Sequence, residues 1–281
     1  MSTTDDLTRK VAELVSLPCY DNGHQFTNHE RIELIIDALA SSPYTIRQIS
    51  PLAYLCEHRE FNTSRVGGVP TILVGSHVDS TYPRHHAQVL DHEILGTLDN
   101  GATNALLLQA MIDQTLPPNV LVVFNGDEER ESRGINQAIR YLHQNQERFG
   151  TIDFTVILDV TFERGDGFTV ENYFGSSRPA GPLSLHNERA VRNLIEECFP
   201  TASYYHHNIA GPDDSWEVDE FDLACLSLCL PCLPHPESRY SGDFSCPLGQ
   251  RVKIADLAVY QDALVQLSTF LTRRMHTSDP V

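Results

Sequence analysis

Three short apolar runs constrain this chain most: TILVGS at 71–76, NVLVVFNG at 119–126 and FTVILDV at 154–160. Each has the length of a strand and lacks the polar alternation of a strand with one wet face, so each reads as a strand covered on both sides. Helical patterns separate them: NGATNALLLQAMIDQ from Asn100 and GINQAIRYLHQNQ from Gly134. Strands alternating with helices predict a three-layer α/β fold, with a mixed, mainly parallel sheet between layers of helices. LTRKVAELVSLP and NHERIELIIDALASS predict two helices near the start, the second with Asn28 as its N-cap. YTIRQISPLAYLCEHR reads as extended edge structure broken at Pro51. Later, NERAVRNLIEECF predicts a helix, LACLSLCLP a strand, and VKIADLAVYQDALVQLSTFLTRRM a long closing helix. At 281 residues the whole chain, 1–281, fits one domain with a sizeable core.

The net charge of −18 argues against nucleic acid and anionic membrane as partners, because both would be repelled. No apolar run approaches the roughly 20 residues that span a bilayer. The beginning, MSTTDDLTRKVAEL, lacks the basic and apolar stretches of a secretory leader. Seven scattered cysteines (Cys19, Cys56, Cys198, Cys225, Cys229, Cys232, Cys246) suggest reduced thiols and a cytoplasmic location. Cys225, Cys229 and Cys232 have a spacing also seen at iron–sulfur centres. On a strand rising about 3.3 Å per residue, however, Cys225 and Cys229 stand roughly 13 Å apart, so these thiols are expected in the core.

In parallel sheets, sites form at the carboxyl ends of strands. His77 and Asp79 follow the first apolar run, Glu128 and Glu129 follow the second, Asp159 ends the third, and Asp99 stands just before a helix. One histidine with several carboxylates suits zinc, manganese or cobalt. Carboxylates crowded on one edge repel one another without a cation, a pair of ions would neutralise them, and a carboxylate between two ions can bridge both. Two adjacent glutamates leaving a strand point to opposite sides, so one can grip metal while the other faces substrate.

SHVDS, GTLDNGATNALLL, GDEERESRG and ILDVT occur in that order, and together they resemble the clan of co-catalytic zinc exopeptidases. This clan includes bacterial leucyl aminopeptidases, deblocking aminopeptidases and glutamate carboxypeptidases. The resemblance runs from about residue 70 to the end, and it is to members without a large inserted dimerisation domain or lid. It implies that His77 and Asp159 bind a first ion, that Asp79 supports His77, and that Asp99 bridges two ions after a tight turn at Asn100-Gly101. It further implies Glu129 as a ligand of the second ion and Glu128 as the general base. Cys246 stands where the clan's last histidine ligand is expected. A thiolate is a good zinc ligand, with His235 and Asp243 as alternatives. Glu131 replaces a glycine usual after the paired glutamates.

The expected activity is metal-dependent hydrolysis of amide bonds in small peptides or N-acyl amino acids, with an aminopeptidase ahead of a deacylase. Homo-oligomerisation is possible, as in relatives. Two rivals follow from the same residues: a non-catalytic binding or assembly protein, favoured by Cys246, and an amide-forming or cyclising enzyme on the same scaffold. His85, His86, Trp216, Arg239 and Tyr240 are candidate pocket residues, while Asp213 and Asp214 form an acidic turn with no assigned chemistry.

Overall fold

The structure, a computed structural model, describes residues 3–62, 68–82, 84–162, 167–172, 193–200, 205–207, 213–236 and 249–277. It opens with α1 (Thr3–Val15), a ribbon of β1 (Tyr20–Asp21) and β2 (Phe26–Asn28), and α2 (Glu30–Leu39). A hairpin of β3 (Tyr44–Ser50) and β4 (Ala53–His58) precedes β5 (Thr71–His77). Then come a second hairpin, β6 (Ala87–Val89) and β7 (Glu93–Gly96), and helix α3 (Gly101–Ile112). β8 (Val120–Asn125), α4 (Arg133–Gln144), the short α5 (Gln146–Phe149) and β9 (Ile152–Thr161) follow. The remainder is β10 (Thr169–Asn172), β11 (Tyr205–His207), α6 (Ser215–Asp219), β12 (Cys225–Pro231), β13 (Leu233–Pro234), β14 (Gln250–Lys253) and α7 (Ile254–Thr277).

Eight strands form the main sheet in the order β11-β10-β12-β9-β5-β8-β4-β3. Its centre is parallel, with β5 between β8 and β9 and β12 beside β9, while β3, β4 and β10 pair antiparallel. Each central strand is buried on both faces, as its unbroken apolar run requires. Alternation then sorts the side chains. Ile72, Val74, Val120 and Val122 join the core beneath α1, α2, α3 and α7, whereas Leu73, Leu121 and Val123 join the one beneath α4. The result is the three-layer sandwich expected, and it places the ends of β5 and β8 side by side, with His77 paired to Asn125.

Local details follow the sequence with a few shifts. Asn28 accepts a hydrogen bond from the Glu30 amide at 3.1 Å, although the residue flanking α2 is His29. Pro51 lies in the turn between β3 and β4, and β3 is one of the sheet's two edge strands. Cys225, Cys229 and Cys232 are buried and not disulfide-bonded. A four-stranded sheet, β13-β14-β7-β6, was not foreseen, because strands of two to four residues are too short to display a period. Among the described residues no helix is long and apolar enough to cross a membrane.

Candidate metal centre

His77 is the last residue of β5 and is buried. Around its imidazole the fold gathers carboxylates from four other places in the chain. Asp79 Oδ1 lies 3.4 Å from Nδ1, an ion-pair contact without hydrogen-bond alignment. Facing Nε2 are Asp99 Oδ1 at 3.2 Å, Asp159 Oδ1 at 3.6 Å and Glu128 Oε2 at 3.8 Å. His77, Asp99 and Asp159 each offer a donor atom within 4.8 Å of the others, a separation that one ion can span. Glu129 stands outside this trio, with one oxygen 3.5 Å from the Thr81 hydroxyl and the other buried without a hydrogen-bond partner.

Polar side chains fix this geometry. Asn104 donates to the carbonyls of His77 and Asn100 at 2.8 Å each, and Asn100 donates to the Leu158 carbonyl at 2.7 Å. These bonds bolt the start of α3 to β5 and β9, so Asp99 is held beside His77 and Asp159. The Asp99–Asn100 peptide is cis. The turn expected at Asn100-Gly101 falls at Asp99-Asn100, directly before Gly101. Gly101 opens α3, and a Cβ there would come within 3.1 Å of Val15 Cα and 3.3 Å of the Arg31 guanidinium. Beyond β8, Asp127 adopts a left-handed conformation (φ 68°), and its carbonyl receives the amides of Glu131 and Ser132. Ser132 is the second left-handed residue of this turn (φ 49°), so Glu131 at the usual glycine position meets no backbone penalty.

The electrostatics are those of several acidic groups buried close together. Burial pushes the carboxyl of Glu128 well above its ordinary range, aided by Asp159, Asp214 and Glu129 and opposed by His77. Burial, then Asp99, raises Glu129 to about 8. Asp159 is raised to about 7 by burial despite its contact with His77. For His77, burial acts to depress the pKa, yet Glu128, Asp159, Asp79 and Asp99 together push it well above the usual imidazole value. Both nitrogens of His77 and one oxygen each of Asp79, Asp99 and Glu129 are buried without hydrogen-bond partners. Orphaned donor atoms of this hardness fit a divalent ion such as zinc, manganese or cobalt.

The sequence left Asp214 without a role, but the structure brings it to this edge. It is buried, it accepts from Asn125 Nδ2 at 2.6 Å, and burial lifts its pKa to about 7. Its neighbour Asp213 accepts from the Ser215 amide at 2.9 Å and from the hydroxyls of Ser215 and Ser227. His85 is half-buried against Tyr20, His86 is exposed, and Trp216 is half-buried on α6. The His235 amide donates to the Gly249 carbonyl at 3.1 Å. Cys246, Asp243, Arg239 and Tyr240 lie outside the described residues.

Residues 63–244, more than half of the chain, match peptidase family M28. The chain belongs to that family. Membership makes metal-dependent peptide hydrolysis the chemistry of this M28 chain. No curated protein matches it. Solved structures share its fold at low identity. A tripeptidase from Staphylococcus aureus aligns with TM-score 0.63 and 12% identity over 97% of this chain and 100% of its own. A glutaminyl cyclase from an Acidobacteriales bacterium aligns with TM-score 0.60 and 13% identity over 96% and 94%. The Pyrococcus horikoshii TET1 peptidase, described as assembling into a tetrahedron or a large octahedral shell, aligns at 0.59 and 13% over 93% and 99%.

If Asp79 supports His77 from behind, Asp79→Asn should weaken zinc binding by about 10–100-fold, the usual cost of losing a ligand's outer partner. Competition against a chelating dye measures this. Unchanged affinity would leave Asp79 a bystander.

Proposed function

We propose that this M28 chain is a zinc-dependent aminopeptidase of small peptides, acting as one catalytic unit in the cytoplasm. His77, Asp99 and Asp159 would hold the first ion, and Asp99, Glu129 and Cys246 would hold a second. When bound, the ions supply Lewis acidity and a nucleophile available at neutral pH. Glu128 takes the proton from the attacking water and returns it to the leaving amine. The observation behind this division is the position of Glu128. It is a sequestered carboxyl of raised pKa, 3.8 Å from His77 Nε2, beside the compact trio of His77, Asp99 and Asp159 and outside it.

A free substrate amine is favoured over a substrate carboxylate by the charges that remain. Asp21, Asp127, Asp213 and Asp214 add to the ligand carboxylates at this edge of the sheet. Two arginines near this edge are already engaged. Arg31 is fully buried, and Arg133 contacts the Gly23 carbonyl, Asp127 and Glu131. The likeness to a TET peptidase supports extending homo-oligomerisation to this chain.

Incubation with unblocked tripeptides, their N-acetylated counterparts and N-acetyl amino acids tests the reading. Release of the N-terminal residue from the unblocked peptides alone, abolished by chelator and restored by zinc, is expected. Cleavage confined to the N-acetyl amino acids would make the protein a deacylase and overturn the aminopeptidase reading. The glutaminyl cyclase among the structural neighbours motivates one further substrate, an N-terminal glutaminyl peptide. Cyclised product without hydrolysis would assign the scaffold to that chemistry instead.

A further inference from the structure

Arg31, in the first turns of α2, is fully buried. Its Nη1 donates to the carbonyl of Val78 at 2.8 Å, and Nη2 lies 3.5 Å from His85 Nδ1. Its Nε is buried without a hydrogen-bond partner. Among the described residues no carboxylate comes within the 4.0 Å of an ion pair. A buried arginine without a paired carboxylate is costly, and an apolar side chain of similar size would fill the space without that cost.

What surrounds the guanidinium explains its presence. The Val78 carbonyl stands between His77 and Asp79. On another side is Gly101, where a Cβ would lie 3.3 Å from both Cζ and Nη2, directly after the Asp99–Asn100 step. Burial lowers the pKa of Arg31, and Cys19, Asp79 and Asp99 act against that cost. The segment that delivers Arg31 is itself fastened to the same turn. The Ser80 amide donates to the Cys19 carbonyl, and the Tyr20 hydroxyl to the Tyr82 carbonyl, each at 3.0 Å. Arg31, Cys19 and Tyr20 lie upstream of residues 63–244, which match the family and contain both turns.

We infer that Arg31 is a positioning residue, a buried cation wedged between the His77–Asp79 turn and the Asp99–Gly101 turn that holds both at the spacing the first metal ion needs. The inference rests on the metal-centre reading above. Two effects oppose each other. Fixing the ligands favours the ion, whereas the positive charge of Arg31 repels it. The guanidinium approaches the turns from behind, on the Val78 carbonyl and Gly101, and contacts none of the ligand oxygens. Positioning therefore dominates.

Zinc affinity, measured by chelator competition on Arg31→Met and Arg31→Lys, separates these effects. The methionine variant should bind zinc about 10–100-fold more weakly than the parent, and the lysine variant, which keeps a donor and the charge, should recover most of the loss. Equal or tighter binding by Arg31→Met would show that repulsion governs, and a lysine variant no better than methionine would mark simple packing. Either result overturns the inference. If the parent itself binds no zinc, the metal-centre reading fails first, and the inference falls with it. Should neither variant fold, the parent still provides a test by nuclear magnetic resonance. The Arg31 Nε–H signal, assigned through bonds from the Arg31 side chain, should shift with the first equivalent of zinc. A signal unmoved through the titration overturns the proposal.

Discussion

Glu128→Gln should lower kcat by about 10²–10⁴-fold, the usual contribution of a general acid–base group, and leave zinc bound at the parent's affinity. Glutamine keeps the volume and one carbonyl oxygen of glutamate but cannot accept and return a proton. The site makes the experiment discriminating because Glu128 sits so near the ligands. Its Oε2 is 3.8 Å from His77 Nε2, hardly farther than Asp159 Oδ1 at 3.6 Å. If Glu128 were a ligand, glutamine would weaken zinc binding together with turnover. If it moves the proton, turnover alone falls. Zinc content after dialysis and kcat on an unblocked tripeptide distinguish the two. A variant retaining more than about a tenth of parental kcat would remove Glu128 from the mechanism. The Glu129→Gln variant offers the converse comparison. If its buried oxygen without a hydrogen-bond partner serves as a ligand, as proposed, its loss should appear first in metal content.

Much of this was legible in the sequence because it depends on period and position. The unbroken apolar runs of β5, β8 and β9 require burial on both faces, and that requirement fixes a central parallel sheet and the edge where its functional groups gather. His77, Asp99, Glu128 and Asp159 meet there as their motif order implies. What the sequence hid is long-range. Arg31 occupies one position in an amphipathic helix where arginine normally faces water, and only the packing of α2 against the His77–Asp79 turn reveals it as buried. Asn104 and Asn125 look like ordinary polar punctuation, yet Asn104 holds the site by two hydrogen bonds and Asn125 by one to Asp214. Asp214 comes from the loop before α6, and its proximity to Glu128 is set by tertiary folding alone. For Gly101 the sequence showed the adjoining turn but not the close approach of α1 and Arg31, which crowds the place of a Cβ.

Stripped of metal, the protein should lose stability as pH rises from about 5 to 8.5, and saturating zinc should abolish most of that loss. In the metal-free fold Glu128, Glu129, Asp159 and Asp214 have pKa values displaced upward, to about 8, 7 and 7 for the last three. Unfolded carboxylates titrate near 4, so between about pH 4 and 8 the folded chain binds more protons than the unfolded one, and stability falls as protons are withdrawn. His77 acts in the same direction. Its raised pKa contributes stability fully below the unfolded imidazole value of about 6.5, and that contribution disappears as pH rises through the folded value. Cations take the place of those protons, so zinc binding should release protons and tighten with pH. For a chain of this size about 1 kcal/mol corresponds to roughly 2–4 °C in Tm, and a cluster worth ~2–3 kcal/mol would lower the metal-free Tm by about 5–10 °C across this range. The net charge of −18 also disfavours the compact state, but it acts on metal-free and metal-loaded protein alike. The difference between their two Tm–pH curves therefore isolates the site. A metal-free Tm that stays level or climbs over this range, or two parallel curves, would mean that these carboxylates do not share one cation-deficient cluster.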